Sequence, residues 1–347
     1  MRKMTEKENS IDFVMTWVDG SDKEWQREKA AFTAEHQNLQ NGQDREDDRE
    51  ERFRDWDLLR YWFRGVEKYA PWVRNIFFVT WGHLPEWLDT DNPKLRIVKH
   101  SDYIPQEFLP TFNSHTIEWN LHRIPELSEQ FVYFNDDMFF LKAVKPEDFF
   151  VNGRPKDMLA FQPVVANEQD SVMPYIYLNN AMVLAKYFRK RENVKQHPGN
   201  YFHIGYPPLY FFYNLLELAF PRYTGFYSTH GPAPHLKETY RELWEKEEAL
   251  LTATCSHRLR HREDVNQYLI RDWTKLSGNF VPANIASKLA YFNIGADRGK
   301  LLRTVRKRTA HIICMNDGYE KLDFEQAAAD IRGAMEEIFP EKSSFEK

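Results

Sequence analysis

Phe131-Val132-Tyr133-Phe134-Asn135-Asp136-Asp137 decides the fold. A run of β-prone apolar residues bounded by polar ones suits a short, fully buried central strand of an α/β sheet. The run stops abruptly on two adjacent carboxylates. Ligands in open α/β sheets gather at the carboxyl ends of the strands. A carboxylate pair there suits a divalent cation held against a diphosphate, because hard cations prefer oxygen ligands. The plain alternative is an acidic loop of no special role; other stretches of the chain argue against it.

Upstream, Ile11-Asp12-Phe13-Val14-Met15-Thr16-Trp17-Val18 reads as the first strand and runs into Asp19-Gly20-Ser21-Asp22, a turn of Asp and Gly. A strand-to-turn at the start of an α/β chain is a common nucleotide site. Residues 44–54 mix both signs of charge, the pattern of a solvated loop. Leu59, Trp62, Phe63, Val66 and Tyr69 then fall on one face of a helix that Pro71 stops. That stripe reads as core. Residues 75–80 and 94–99 are a second and a third strand, and 113–124 is a helix carrying Glu118, His122 and Arg123. Helices alternating with short apolar strands predict βαβ units and a mainly parallel sheet.

Downstream, residues 158–161 read as a strand and 179–188 as a helix. The stretch is aromatic and punctuated by proline, and a helical subdomain over the ligand edge of the sheet fits it. Ser228-Thr229-His230-Gly231-Pro232-Ala233-Pro234-His235 sets two histidines in a rigid turn before a long polar helix, 235–251. A histidine at a helix N-terminus meets the positive end of the dipole, which favours the neutral, basic imidazole. The pattern does not choose between His230 and His235. Arg258, Arg260 and Arg262 precede a further helix, and such a cluster in a net acidic chain suits a phosphate clamp. A late strand, 310–315, ends on Asn316-Asp317, and an amphipathic helix, 324–339, closes the chain.

The 347 residues are 42% hydrophobic and 15% aromatic, ample for a core, and no linker or internal repeat forces a boundary within 1–347. A net charge of −5 argues against a nucleic-acid partner, which calls for a strongly basic face. Cys255 and Cys314 stand far apart and outside any metal-ligand spacing, so no disulfide framework is expected and a cytoplasmic setting fits. Residues 1–10 have no apolar core of a secretory signal. The most apolar run, 208–220, is interrupted by Asn214 and Glu217 and is too short to span a bilayer. Any association with the cytoplasmic face of a membrane is therefore expected to be peripheral.

Taken together, these segments resemble the Stealth family. Residues 11–22 are similar to its first conserved region. The second, 54–150, runs from Arg54-Asp55-Trp56 through Tyr69-Ala70-Pro71-Trp72-Val73-Arg74-Asn75-Ile76 and Leu109-Pro110-Thr111-Phe112-Asn113-Ser114 to Asn135-Asp136-Asp137-Met138-Phe139. Pro234-His235-Leu236 and Arg260-His261-Arg262-Glu263-Asp264 resemble the third region, within about 157–275, and Cys314-Met315-Asn316-Asp317 the fourth. The resemblance implies a Rossmann-like α/β core and transfer of a sugar-1-phosphate from a UDP-sugar to a hydroxyl of an acceptor oligo- or polysaccharide. It implies UMP as the leaving group and help from Mg2+ or Mn2+. Carried over by position, it implies catalytic roles for His235, Arg260 and Asp137, and metal contacts from Asp136, Asp137 and Asp317. The substrate-binding residues it implies are Trp17, Asp19, Gly20, Asp22, Arg54, Asn113, Ser114, Arg123 and Asn135. The large insertions of the lysosomal-enzyme GlcNAc-1-phosphotransferases in this family are missing here, so recognition of a protein substrate is not expected.

Two other readings compete. A metal-dependent glycosyltransferase would use the same donor on the same kind of sheet but would break the C1–O bond and release UDP. A non-catalytic carbohydrate-binding protein has only the aromatic content, 10 Trp, 17 Tyr and 26 Phe, in its favour.

Overall fold

The computed structural model describes residues 10–36, 46–47, 53–166, 172–317 and 323–347. Most of the charged stretch at 44–54 lies outside them. Strands β1 (Ile11–Thr16), β2 (Ile76–Thr80), β3 (Leu95–Lys99) and β4 (Gln130–Phe134) form where the apolar runs predict them. They pair in parallel in the order β3-β2-β1-β4. A fifth strand, β6 (Ala233–Leu236), adds antiparallel to β4. The chain builds outward from β1 to β3, then crosses back to place β4 on the other side of β1. This reversal opens a crevice beyond the carboxyl ends of β1 and β4.

The alternation of side chains explains why both faces are covered. Phe13, Met15, Phe78, Val132 and Phe134 point to one face, and Val14, Phe77, Val79, Phe131 and Tyr133 to the other, all buried. Each such side chain contributes about 1.5–3 kcal/mol when fully buried. The first face packs against helix α2 (Leu59–Tyr69), whose predicted stripe of Leu59, Trp62, Phe63 and Val66 is core. It also packs against a second sheet. There β5 (Met138–Phe140) pairs antiparallel with β8 (Ile312–Asn316), which pairs in parallel with β7 (Leu289–Asn293). Helices α9 (Ile294–Lys307) and α10 (Phe324–Ile338) close that side. The opposite face carries α3 (Ser114–Asn120), α6 (Lys237–Lys246), α7 (Glu248–Ser256) and α8 (Gln267–Leu276). Helix α1 (Lys23–His36) follows β1, and α4 (Met173–Tyr187) and α5 (Pro208–Glu217) lie in the middle of the chain.

Three expectations change. The strand expected at 158–161 is instead Arg154–Asp157. Beyond it, the Asn214 side chain takes the place of a strand partner: its Oδ1 accepts from Phe161 N at 2.7 Å and its Nδ2 donates to Leu159 O at 2.9 Å. The helix expected at 235–251 is two helices broken at Glu247, whose carboxylate accepts from Lys186 Nζ and the Tyr187 hydroxyl of α4 at 2.5 and 2.6 Å. His235 belongs to strand β6 rather than to a helix start. The helix expected at 179–188 begins six residues earlier, at Met173. Both cysteines are free and buried. No helix among the described residues is long and apolar enough to cross a membrane.

Candidate active site

The parallel register of β1 with β4 runs from Ile11 opposite Gln130 to Met15 opposite Phe134. It therefore delivers Trp17 and Asn135-Asp136-Asp137 side by side at one end of the sheet. There they line a cleft of about 1070 Å3, large enough for a nucleotide-sized ligand and a second reactant.

The floor of the cleft is acidic. Asp136 opens into it, and Asp55 and Asp137 line the same wall. Crowding by protein atoms, then the Asp137 and Asp55 carboxylates, push the Asp136 pKa up to about 8. Water in the open cleft tempers that shift, but its direction follows from three carboxylates gathered together. Asp317, at the end of β8, is partly neutralised by Arg54, 3.3 Å away, whose guanidinium also lies over the Phe324 ring. Asp137 divides its oxygens. Oδ2 lies 2.9 Å from His230 Nε2 and accepts from Cys314 Sγ at 3.3 Å, while Oδ1 is buried with no hydrogen-bond partner. Asp137 Oδ1 is an orphaned carboxylate oxygen, a donor of the kind hard divalent cations prefer, and the ligand-type atoms within 4.8 Å of one another here are those of Asp137, His230 and Cys314.

His230 faces this cluster. An ionised carboxylate only accepts, so Nε2 carries the proton toward Asp137, and Nδ1 is left to accept from the Tyr268 hydroxyl at 3.0 Å. Burial by itself would lower the His230 pKa; the Asp137 carboxylate outweighs it and the pKa is raised. His235 is elsewhere. It is 2% exposed on β6, packs against Phe131 and Tyr240, and meets Gln267 Oε1 at 3.2 Å. Burial, then Arg271, pushes its pKa down to about 3, so it stays neutral and away from the cleft. The strand pleat is the reason: β6 continues the main sheet, and the His235 side chain falls on its packed face.

The arginine cluster also diverges. Arg260 lines the cleft and donates through Nε to Ser114 Oγ at 3.0 Å. Arg258 donates to Glu107 O, and Arg262 lies over the Tyr175 ring. Ser114 opens α3, and Asn113 is its N-cap, accepting from His115 N. Asn113 is fully buried and takes part in the support behind the cleft. Its Nδ2 donates at 2.9 Å to Asp264, which is also met by His115 Nδ1, His257 Nδ1 and His261 N. Arg123 is exposed at the far end of that helical segment, over the Trp244 ring.

In the first turn, only Trp17 of the proposed set reaches the cleft wall, stacked on Phe78 with centroids 5.6 Å apart. Asp19 accepts from Ser21 N and Oγ, and Asp22 accepts from Glu24 N and Trp25 N at the start of α1. Gly20 is required by Phe53, whose carbonyl oxygen would sit 2.1 Å from a Cβ. These three residues build the turn. Conversely, Asp55, Glu118 and Tyr268 line the cleft and were given no site role from the sequence. Glu118 is 5% exposed, accepts from Gln267 N at 3.3 Å, and has its pKa raised by burial. The signal for it was a charged residue among the apolar positions of a helix.

Carboxylates, the Arg54 and Arg260 guanidinium groups and a carboxylate-paired imidazole thus converge in one cleft at the ends of parallel strands of an α/β protein. Comparison with known proteins gives the family. Residues 9–37 match Stealth protein CR1, conserved region 1, and residues 52–157 match Stealth protein CR2, conserved region 2. The chain is 41% identical to the capsular polysaccharide phosphotransferase WcwK of Streptococcus pneumoniae, over 98% of this chain and 99% of that one. It is 37% identical to the receptor polysaccharide phosphotransferase WefC of Streptococcus gordonii, over 97% and 98%. With the exopolysaccharide phosphotransferase cps2G of Lactiplantibacillus plantarum it shares 35% identity over 97% and 96%. The chain belongs to the Stealth family.

The support behind Arg260 has a measurable pH signature. Burial would raise the Asp264 pKa, but hydrogen bonds from His115 and His257 overcome this and hold it at about 2. A depressed carboxylate stabilises the fold above its unfolded pKa of about 3.9, and the contribution is lost as pH falls through the folded value. Asp264→Asn should cost about 3 kcal/mol at pH 6. In urea unfolding series, its deficit should shrink as pH drops from 4 toward about 2.

Proposed function

We propose that this chain transfers a hexose- or N-acetylhexosamine-1-phosphate from a UDP-sugar to an acceptor sugar hydroxyl in the synthesis of a capsular or other cell-surface polysaccharide. The observation that carries this reading is the meeting of the Asp137–His230 pair, Asp136 and Arg260 in one cleft at the end of β1 and β4. The names of the relatives support phosphotransfer in polysaccharide synthesis. We read the sheet as a Rossmann-like nucleotide platform; the strand order and the place of the crevice support that.

In this reaction the acceptor oxygen attacks the β-phosphorus, a new P–O bond forms, and the bond to the bridging oxygen breaks to release UMP. The protein contributes position and charge, as in other phosphoryl transfers. Arg260, steadied by Ser114, donates to the phosphate oxygens. The acceptor proton goes to His230 Nδ1, where the Tyr268 hydroxyl now sits, and Asp137 stabilises the imidazolium that results. Trp17 offers an aromatic wall to the nucleoside end. Asp136 and the Oδ1 of Asp137 would hold Mg2+ or Mn2+, with Asp317 close to the same end of the cleft. Such an ion offsets negative charge on the diphosphate when bound. The chemistry belongs in the cytoplasm or at the cytoplasmic face of the membrane, where UDP-sugars are made.

The test is nucleotide release. With UDP-GlcNAc, UDP-Glc or UDP-Gal and an oligosaccharide acceptor, acceptor-dependent UMP is expected; UDP instead would mean glycosyl transfer and overturn the reading. The two histidines separate by mutation. His230→Gln should keep its melting temperature and lose about 10²- to 10⁴-fold in turnover. His235→Ala should melt lower and keep the turnover of its folded fraction; the reverse pattern would return the base to His235.

The cation is tested without substrate. A carboxyl whose folded pKa lies above its unfolded value destabilises the fold as pH rises between the two. The ion-free protein should therefore gain stability at pH 8 from Asp136→Asn. Mg2+ or Mn2+ should raise the melting temperature of the wild type and leave that of the variant unmoved. An unmoved wild type would remove the cation from this site.

A further inference from the structure

Helix α5 has its polarity inverted. Its two polar side chains, Asn214 and Glu217, are buried, and its apolar ones face water. Asn214 donates to Leu159 O and Tyr201 O and accepts from Phe161 N. Glu217 forms a buried ion pair with Lys190 at 2.9 Å and accepts from Thr224 N and Oγ1. On the outside, Leu209, Phe212, Leu215, Leu216 and Phe220 are each at least 51% exposed, and Ile204 in the preceding loop is 98% exposed. A helix that settles into a water-soluble fold does the opposite. Apolar patches of this kind mark a surface meant for another phase or partner. The segments outside the described residues, such as Asn167-Glu168-Gln169-Asp170-Ser171, are polar and offer no apolar run to cover it.

The charge around the patch selects the occupant. The chain is net −5, yet residues 186–222 hold six Lys and Arg against two Glu. The Lys190 ammonium donates to Glu217 O, Phe220 O and Arg222 O, which ties the short helix Lys190–Gln196 to the end of α5. Arg191, Lys195 and Arg222 lie on the segments that this contact joins to α5, all exposed and with no carboxylate partner among the described residues. Bulky apolar groups on a segment flanked by exposed cations match an anionic lipid surface. Ten residues make about 15 Å of helix, half of a bilayer core, so α5 lies in the interface rather than across it.

We propose that α5 and the Ile204 loop form a peripheral docking face for an anionic lipid bilayer. The docking face is coupled to the cleft. Asn214 binds Leu159 and Phe161, and the same segment continues as Gln162, Pro163, Val164 and Val165 in the cleft wall. Docking thus brings one wall of the cleft to the membrane surface.

The test is flotation of the whole chain with vesicles of phosphatidylethanolamine and phosphatidylglycerol, and with vesicles of phosphatidylcholine alone. No substrate is present, so the outcome does not depend on the phosphotransfer reading. The wild type should float with the anionic vesicles and detach in high salt. Phe212→Ser with Leu216→Ser should weaken binding about a hundredfold, since two large apolar side chains no longer enter the lipid. Arg191→Glu with Lys195→Glu should weaken binding to the anionic vesicles at least tenfold and leave the phosphatidylcholine result unchanged. All four positions are exposed, so melting temperatures should match the wild type. A wild type that stays with the aqueous fraction overturns the proposal. So does one that sediments as a dimer which Phe212→Ser disperses without ever binding vesicles; the face would then belong to a second copy of the chain.

Discussion

The parallel pairing of β1 with β4 is the constraint on which the site depends. Its hydrogen-bond register fixes the ends of both strands at one level, so Trp17 and the Asn135-Asp136-Asp137 run must emerge together. The pairing needs both faces of the sheet covered, because parallel strands are buried on both sides. The chain supplies α2, α9 and α10 with the second sheet on one face, and α3, α6, α7 and α8 on the other. The second sheet then returns to the same end: Met315 N donates to Asp137 O, and Asp317 arrives beside Arg54. Two acidic strand ends, far apart in sequence, become one wall.

That wall is out of electrostatic balance by itself. Crowding by protein atoms, then the Asp137 and Asp55 carboxylates, raise the Asp136 pKa. The cations nearby are few and specifically held: Arg54 on Asp317, Arg260 on Ser114, and His230 on Asp137. A fold maintains such a cluster at a cost in stability, and sites of this kind are commonly those that bind charge from outside. Behind Arg260, buried Asp264 gathers donors from Asn113, His115, His257 and His261 and fixes the turn that carries the arginine. Asn113 belongs to this support, bonding Asp264 and capping α3.

The inverted α5 shows the same logic at the surface. The inward Asn214 satisfies backbone groups of 159–161, and Glu217 gives the buried Lys190 ammonium its carboxylate counter-charge. This polar inner face holds the helix in place and leaves the apolar face outward. Cleft wall and apolar surface are then two sides of one stretch of chain.

Much of this was legible locally. Strand identity for β1 to β4 followed from short apolar runs, and the acidic end at Asp136-Asp137 is written in adjacent residues. The stripe of α2 follows from helical spacing alone. The resemblance in motifs supplied the family. The choice between His230 and His235 was not legible, because it turns on the pairing of β6 with β4 and on which side of the pleat each side chain falls. The fates of Arg258, Arg260 and Arg262 diverge for the same reason: neighbours in sequence are set on different partners by distant segments. Asp19 and Asp22, which the family resemblance implies bind substrate, bond to the backbone of their own turn, as short polar side chains commonly do. The sequence by itself determined strands β1 to β4, the buried stripe of α2 and where acidity lies, because these depend on near neighbours. Only the tertiary structure decided which histidine and which arginine of the cluster reach the cleft, and which way α5 turns, because those depend on contacts between residues 27 to 146 positions apart.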